Sequence, residues 1–136
     1  VELETYLHFS GNCEEALAFY GSIFGGGPTF VSRYGGSPMM THAPAGWEHK
    51  VLHASFEAPG VRFMASDSSH ARAVNGRVSL SVSTADPSEG ERVFLQLADG
   101  GTISMPFQDT FWGARFGMLT DKFGIDWMVN CGTSGG

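Results

Sequence analysis

The sequence predicts an α+β fold of two βαβββ modules whose curved mixed sheets surround a groove. Three observations lead there. Apolar residues alternate through several short segments, two stretches carry helical spacing between a capping residue and a glycine run, and the second half repeats the first. A shift of 74 positions carries Asn12 onto Asp86, Glu15 onto Glu89, Phe19 onto Val93, Tyr20 onto Phe94, Ile23 onto Leu97 and Gly26 onto Gly100. The strands before the helices align better at 73, which places Leu7 on Leu80, His8 on Ser81 and Phe9 on Val82. One extra residue in the second strand–helix turn accounts for the change. Modules of about 60 residues bury sheet and helix poorly alone. Residues 1–67 and 77–131, joined by a connector at 68–76, are therefore expected to make a single domain over 1–136.

In chain order, Leu3, Leu7 and Phe9 fall on one face of a first strand and Tyr6, His8 and Ser10 on the other. Asn12 follows as a helix cap, with Glu15 placed to return the bond as a capping box. Ala16, Phe19, Tyr20, Ile23 and Phe24 give the helical stripe, which Gly25-Gly26-Gly27 ends. Thr29 to Tyr34 is a second strand, and Gly35 to Gly46, rich in Gly, Pro, Ser and Met, is a long loop of lid-like or disordered composition. Lys50 to Glu57 and Val61 to Ser66 are strands about the turn Ala58-Pro59-Gly60. The second cycle starts at Arg77. Val78, Leu80 and Val82 alternate with serines, and Asp86-Pro87-Ser88-Glu89 supplies a cap, an N1 proline and a capping glutamate. Val93, Phe94 and Leu97 face the core, Gly100-Gly101 stops the helix, and Thr102 to Phe107, Gly113 to Thr120 and Ile125 to Cys131 complete the strands.

Composition narrows the partners. A formal charge of -6 with only eight Lys and Arg excludes a nucleic-acid backbone, whose attraction needs clustered cations. No apolar run approaches the ~20 residues that span a bilayer, so a soluble, cytoplasmic protein with no membrane partner is expected. The two cysteines, Cys13 and Cys131, form neither a disulfide framework nor a metal knuckle. Cys13 lies in a first helical turn, where the N-terminal field lowers a thiol pKa, but no local feature supplies a base. The tail from Gly132 to Gly136 is small and flexible by composition.

Chemistry-bearing residues gather on the polar strand faces. His8 shares a face with Tyr6, and His53 shares one with Val51, Ser55 and Glu57. If those strands are neighbours, His8, His53 and Glu57 offer imidazole and carboxylate ligands to a divalent metal such as Zn, Ni, Fe or Mn. The same residues serve equally as polar groove groups for a small-molecule ligand, or as structural hydrogen-bonding groups. Glu57 and Asp67 are the candidate general bases, and Asp67 has the alternative of capping the turn through Ser68-Ser69-His70. Tyr6, Met64, Trp112 and Met128 suit the lining of a partly apolar groove, with Trp112 open between a groove mouth and a dimer contact. Trp127 belongs to the core by alternation with Ile125 and Val129, and His42, His49 and His70 sit in solvated contexts.

The segments Tyr6 to Ala16, Phe19-Tyr20, Ile23 to Gly26, Leu52-His53-Ala54, Phe63 to Asp67, Met105 to Gly113 and Phe116 to Asn130 resemble the PhnB-like branch of the vicinal-oxygen-chelate superfamily. This is the superfamily of glyoxalase and bleomycin-resistance proteins, and Asp109-Thr110-Phe111-Trp112-Gly113 is the most specific part of the match. The resemblance implies paired βαβββ modules, commonly a homodimer, and metal held by inward residues of the first and last strands of each module. Carried onto this chain, those places are His8, the vicinity of Met64 or Ser66, Ser81, and the vicinity of Met128 or Asn130. Three of the four lack a strong metal ligand. The resemblance therefore implies either metal-assisted chemistry on a substrate with adjacent oxygens or a noncatalytic dimer that sequesters a ligand. Some relatives carry a demethylubiquinone methyltransferase label, yet no glycine-rich nucleotide loop of a Rossmann-like domain is present.

Overall fold

The glycine stops and alternating strands of the sequence reappear as two four-stranded units in the computed structural model, which describes residues 1–71 and 78–132. The chain divides into compact units Val1–Arg72 and Ala73–Gly136. The first contains β1 (Tyr6–Phe9), α1 (Cys13–Phe24), β2 (Gly27–Arg33), a 3-10 turn (Pro38–His42), β3 (Val51–Ala58) and β4 (Val61–Asp67). The second contains β5 (Leu80–Ser83), α2 (Pro87–Ala98), β6 (Thr102–Asp109), β7 (Arg115–Thr120) and β8 (Asp126–Cys131). Sheet orders are β1-β4-β3-β2 and β5-β8-β7-β6, the same arrangement twice. In each, the first strand runs parallel to the last and the other pairs are antiparallel. The α+β reading with two βαβββ modules is thus met.

Each sheet buries one face against its own helix. Leu7, Phe9, Ala54, Phe56, Phe63 and Ala65 close on Ala16, Leu17, Tyr20 and Ile23 of α1, all buried. Tyr20 meets Phe63 edge-on at 6.0 Å, and Phe56 stacks on Phe63 at 4.7 Å. In the second unit Val93, Phe94 and Leu97 of α2 are buried together with Leu119, Trp127 and Val129. Trp127 is core as expected, and its indole N–H donates to Asp121 at 2.9 Å, which satisfies a buried polar group.

Several expectations need correction. Leu3 is fully exposed and lies before β1, because the strand is only four residues long; Val78 likewise precedes β5 and is exposed. Asn12 makes no side-chain cap. Its φ of −122° and ψ of 25° leave the extended region from which a cap folds back. The Asp67 carboxylate takes the N–H groups of Gly11 and Cys13 instead, both at 2.8 Å. Asp86 does cap α2, accepting from the Ser88 N–H at 3.0 Å. The glycine alignment moves by one: Gly25 and Gly100 are the pair with positive φ, 80° and 76°. Gly26 and Gly101 are the pair whose missing side chain matters. A Cβ at Gly26 would stand 2.1 Å from the Glu57 carbonyl oxygen, and one at Gly101 2.2 Å from that of Thr120. The stretch Gly35 to Gly46 contains the 3-10 turn and is tied back by the Tyr34 N–H to the Lys50 carbonyl and the Gly35 N–H to that of Glu48. The start of the second cycle at Arg77, most of the connector and the tail beyond Gly132 lie outside the described residues.

Candidate functional site

Alternation along β1 turns Tyr6 and His8 away from α1, onto the open face of the first sheet, while Leu7 and Phe9 go to the core. On β3 a register shift between Ser32 and Arg33 of the neighbouring strand lets Val51 be buried while His53, Ser55 and Glu57 stay on the outer face. Val51 therefore does not share the face of His53, contrary to simple alternation. β4 lies between β1 and β3, and Met64 and Ser66 on it pair with Tyr6 and His8.

Tyr6 reaches over β4 to His53, its Oη 3.0 Å from Nδ1. His8 stacks on Tyr6, with ring centroids 4.9 Å apart and planes 30° apart. Phe30 of β2 approaches His53 at 6.1 Å. With the phenol as donor, His53 carries its proton on Nε2 and offers a donor outward; with Nδ1–H as donor, Nε2 is an acceptor. Either way one ring nitrogen is oriented by Tyr6 and the other is left for a ligand. The sequence reading brought Tyr6, His8, His53 and Met64 to this face but missed Phe30, whose place in the second strand was its only signal.

The expected metal set is not assembled. Glu57 stands four residues from His53 along β3, about 13 Å at strand rise, and its carboxylate lies 3.8 Å from the Arg62 guanidinium. Among the described residues no three His, Cys, Asp or Glu side chains converge to hold a metal ion. Glu57 is therefore not brought to His8 and His53, and the two imidazoles share the open sheet face without it.

Asp67 is taken up by structure. It is buried, and beyond Gly11 and Cys13 it receives the Val51 N–H at 2.9 Å through its other oxygen. Three backbone donors occupy three of its roughly four lone-pair sites, and the Ser68 hydroxyl, not Asp67, takes the His70 N–H. Burial first, then the charges of Asp67 and Glu14, push the Cys13 thiol up to about 12. The helix field does not make it a nucleophile. Tyr34, which donates to the Asp67 carbonyl at 2.8 Å, is raised as well, chiefly by burial.

Cavities open in the first unit among its described residues. One, of about 610 Å3, lies between the N-terminal segment and Thr29, Ser55, Glu57, Arg62 and Met64; another, of about 390 Å3, adjoins the start of α1 near His49, Lys50 and Asp67. Neither is lined by Tyr6, His8 or His53, which sit on the open sheet surface. In the second unit Ser81 pairs with Met128, and Asn130 lies on the same half-buried face. Trp112 is half-exposed at the β6–β7 turn and packs edge-on against Phe111 and Phe116. No helix among the described residues is long and apolar enough to cross a membrane.

Comparison with known proteins follows the same outline. A family model described as 3-demethylubiquinone-9 3-methyltransferase matches residues 2–130. Protein YjdN of Escherichia coli (strain K12) is 34% identical, over 94% of this chain and 93% of its own. Among solved structures, protein PA1353 from Pseudomonas aeruginosa is 39% identical with a TM-score of 0.83, covering 97% of this chain and 98% of its own. The PhnB protein from Bacillus cereus is 34% identical with a TM-score of 0.82, covering 96% and 99%.

Proposed function

The chain belongs to the PhnB-like family of the glyoxalase/bleomycin-resistance superfamily, and from that premise we propose that it binds a small molecule on the open face of its first sheet without transforming it. The observation that carries this reading is the Tyr6–His53 hydrogen bond with His8 stacked beside it. It presents an oriented imidazole and ring faces, and no third metal ligand joins them among the described residues. Met64 and Phe30 supply apolar contact, and His53 and His8 supply the polar contact that fixes orientation. The superfamily's metal-assisted route to substrates with adjacent oxygens needs a fuller donor set than two imidazoles. The methyl transfer named in the family's description has no support in the strand order, which is not the open parallel sheet of a dinucleotide fold.

A homodimer is part of the same reading. Val31 on β2, Ile103 and Met105 on β6, and Phe111 with Trp112 at the β6–β7 turn are exposed in the single chain. Apolar surface of that kind suits coverage by a second copy.

The test is a small-molecule screen on the purified protein, with each binder recovered and weighed by mass spectrometry and metal content measured in parallel. Binders returned chemically unchanged, and lost in His8→Ala/His53→Ala, are the expected result. Selective conversion of a binder, dependent on a metal that the double variant no longer retains, would replace this reading with the metal-assisted one.

A further inference from the structure

The ring contacts of the first sheet form a chain. His8 meets Tyr6 at 4.9 Å, Tyr6 meets His53 at 5.6 Å, and His53 meets Phe30 at 6.1 Å. These rings come from β1, β3 and β2, so the chain crosses all four strands, about 14 Å at strand spacing. What lies beneath explains how it crosses. β4 presents Ser66 opposite His8, a small side chain that is buried, and the Tyr6 phenol bridges over that strand to His53. Neighbouring rings are inclined by only 30° to 50°, not edge-on. The corresponding rows of the second sheet carry Met105, Met118 and Met128 in place of this row of rings.

We infer that this run of rings is a stacking shelf for a planar, conjugated, non-anionic ligand with a hydrogen-bonding oxygen or nitrogen at its edge. The inference rests on the reading above that this face is the ligand site, and it adds the ligand's chemical class. Flat ring systems gain from offset stacking on aromatic faces in a way that saturated rings of equal size do not. The edge group pairs with the His53 nitrogen that Tyr6 leaves outward. Charge selects against anions: Glu2, Glu4 and Glu57 surround the adjoining cavity, against the single cation of Arg62, and the chain as a whole carries -6.

The experiment compares 2-naphthol with decahydro-2-naphthol, which share a hydroxyl and a carbon skeleton but differ in planarity. Each is titrated into the intact protein while histidine-ring resonances are followed. The shelf predicts that 2-naphthol binds at least about tenfold more tightly, with ring-current shifts at His8 and His53. It also predicts that Phe30→Leu with His8→Leu removes this preference, the 2-naphthol affinity falling at least about tenfold relative to that of decahydro-2-naphthol. Equal affinities with both ligands perturbing His8 and His53 would overturn the shelf and leave the binding face intact. Tighter 2-naphthol binding that perturbs neither histidine would overturn the shelf as well, and would place aromatic binding elsewhere on the molecule.

Discussion

The two halves have the same strand order but start their helices by different means. In the second, Asp86 caps α2 from the adjacent position and Pro87 begins the helix, a signal that fits within four residues. In the first, the start of α1 is held from the far end of the module: Asp67, at the end of β4, binds Gly11 and Cys13 on one oxygen and Val51 on the other. One carboxylate thereby joins the β1–α1 turn, the helix start and the entry to β3. The difference shows that a repeat preserves the need for a cap more faithfully than its source. A central buried carboxylate also rigidifies the module that carries Tyr6, His8 and His53.

The comparison breaks most sharply at the caps. Asp67→Ala leaves three N–H groups unpaired, two of them buried, and is expected to cost about 3–5 kcal/mol, whereas Asp86→Ala is expected to cost about 1 kcal/mol; urea unfolding of the two variants measures both. Near-equal losses would remove the distinction. The glycines provide the symmetric control. Gly26→Ala and Gly101→Ala each drive a Cβ into a carbonyl oxygen and should lose similar stability, about 3 kcal/mol. A cost at one position alone would mean the halves are not packed alike.

The cysteines extend the contrast. Because burial raises the Cys13 thiol from 9.0 to about 12, the folded state holds this proton more tightly than the unfolded one. Its contribution to stability is fully present below about pH 9 and is lost as pH rises towards 12. Iodoacetamide at pH 8 should leave Cys13 unmodified in native protein and label it on unfolding, as peptide mapping would show. The smallest effect belongs to the exposed Arg33–Glu14 pair at 2.9 Å. Its hydrogen bond lowers the Glu14 pKa, so its stabilisation is present above the unfolded carboxyl value and fades as pH falls through the folded one. Arg33→Gln should flatten a minor acid-side slope in the melting temperature and leave its value near neutrality almost unchanged.

Much of the fold could be read because its signals are local. Alternation marked the strands, glycines marked the helix ends, and Asp86 with Pro87 marked α2. The site was partly legible: polar alternation put Tyr6, His8 and His53 on outward faces, but only strand order reveals that Tyr6 spans β4 to reach His53. Glu57 looked like a third ligand because sequence shows which face a residue occupies but not how far along it lies. Asp67 looked catalytic for the opposite reason. A buried carboxylate reads the same in sequence whether its lone pairs are open or already taken by Gly11, Cys13 and Val51, which lie far away along the chain.

The five histidines of the chain provide the most direct measurement. His8 and His53 lie on the open sheet face, while His42 ends the 3-10 turn, His49 lines the cavity at α1 and His70 follows β4. Side-chain NMR of all five, recorded as a binder from the screen is titrated in, reports where the ligand sits. The account predicts that His8 and His53 shift in proportion to occupancy while His42, His49 and His70 hold still. Shifts confined to His49, or to any histidine outside the first sheet, would contradict it.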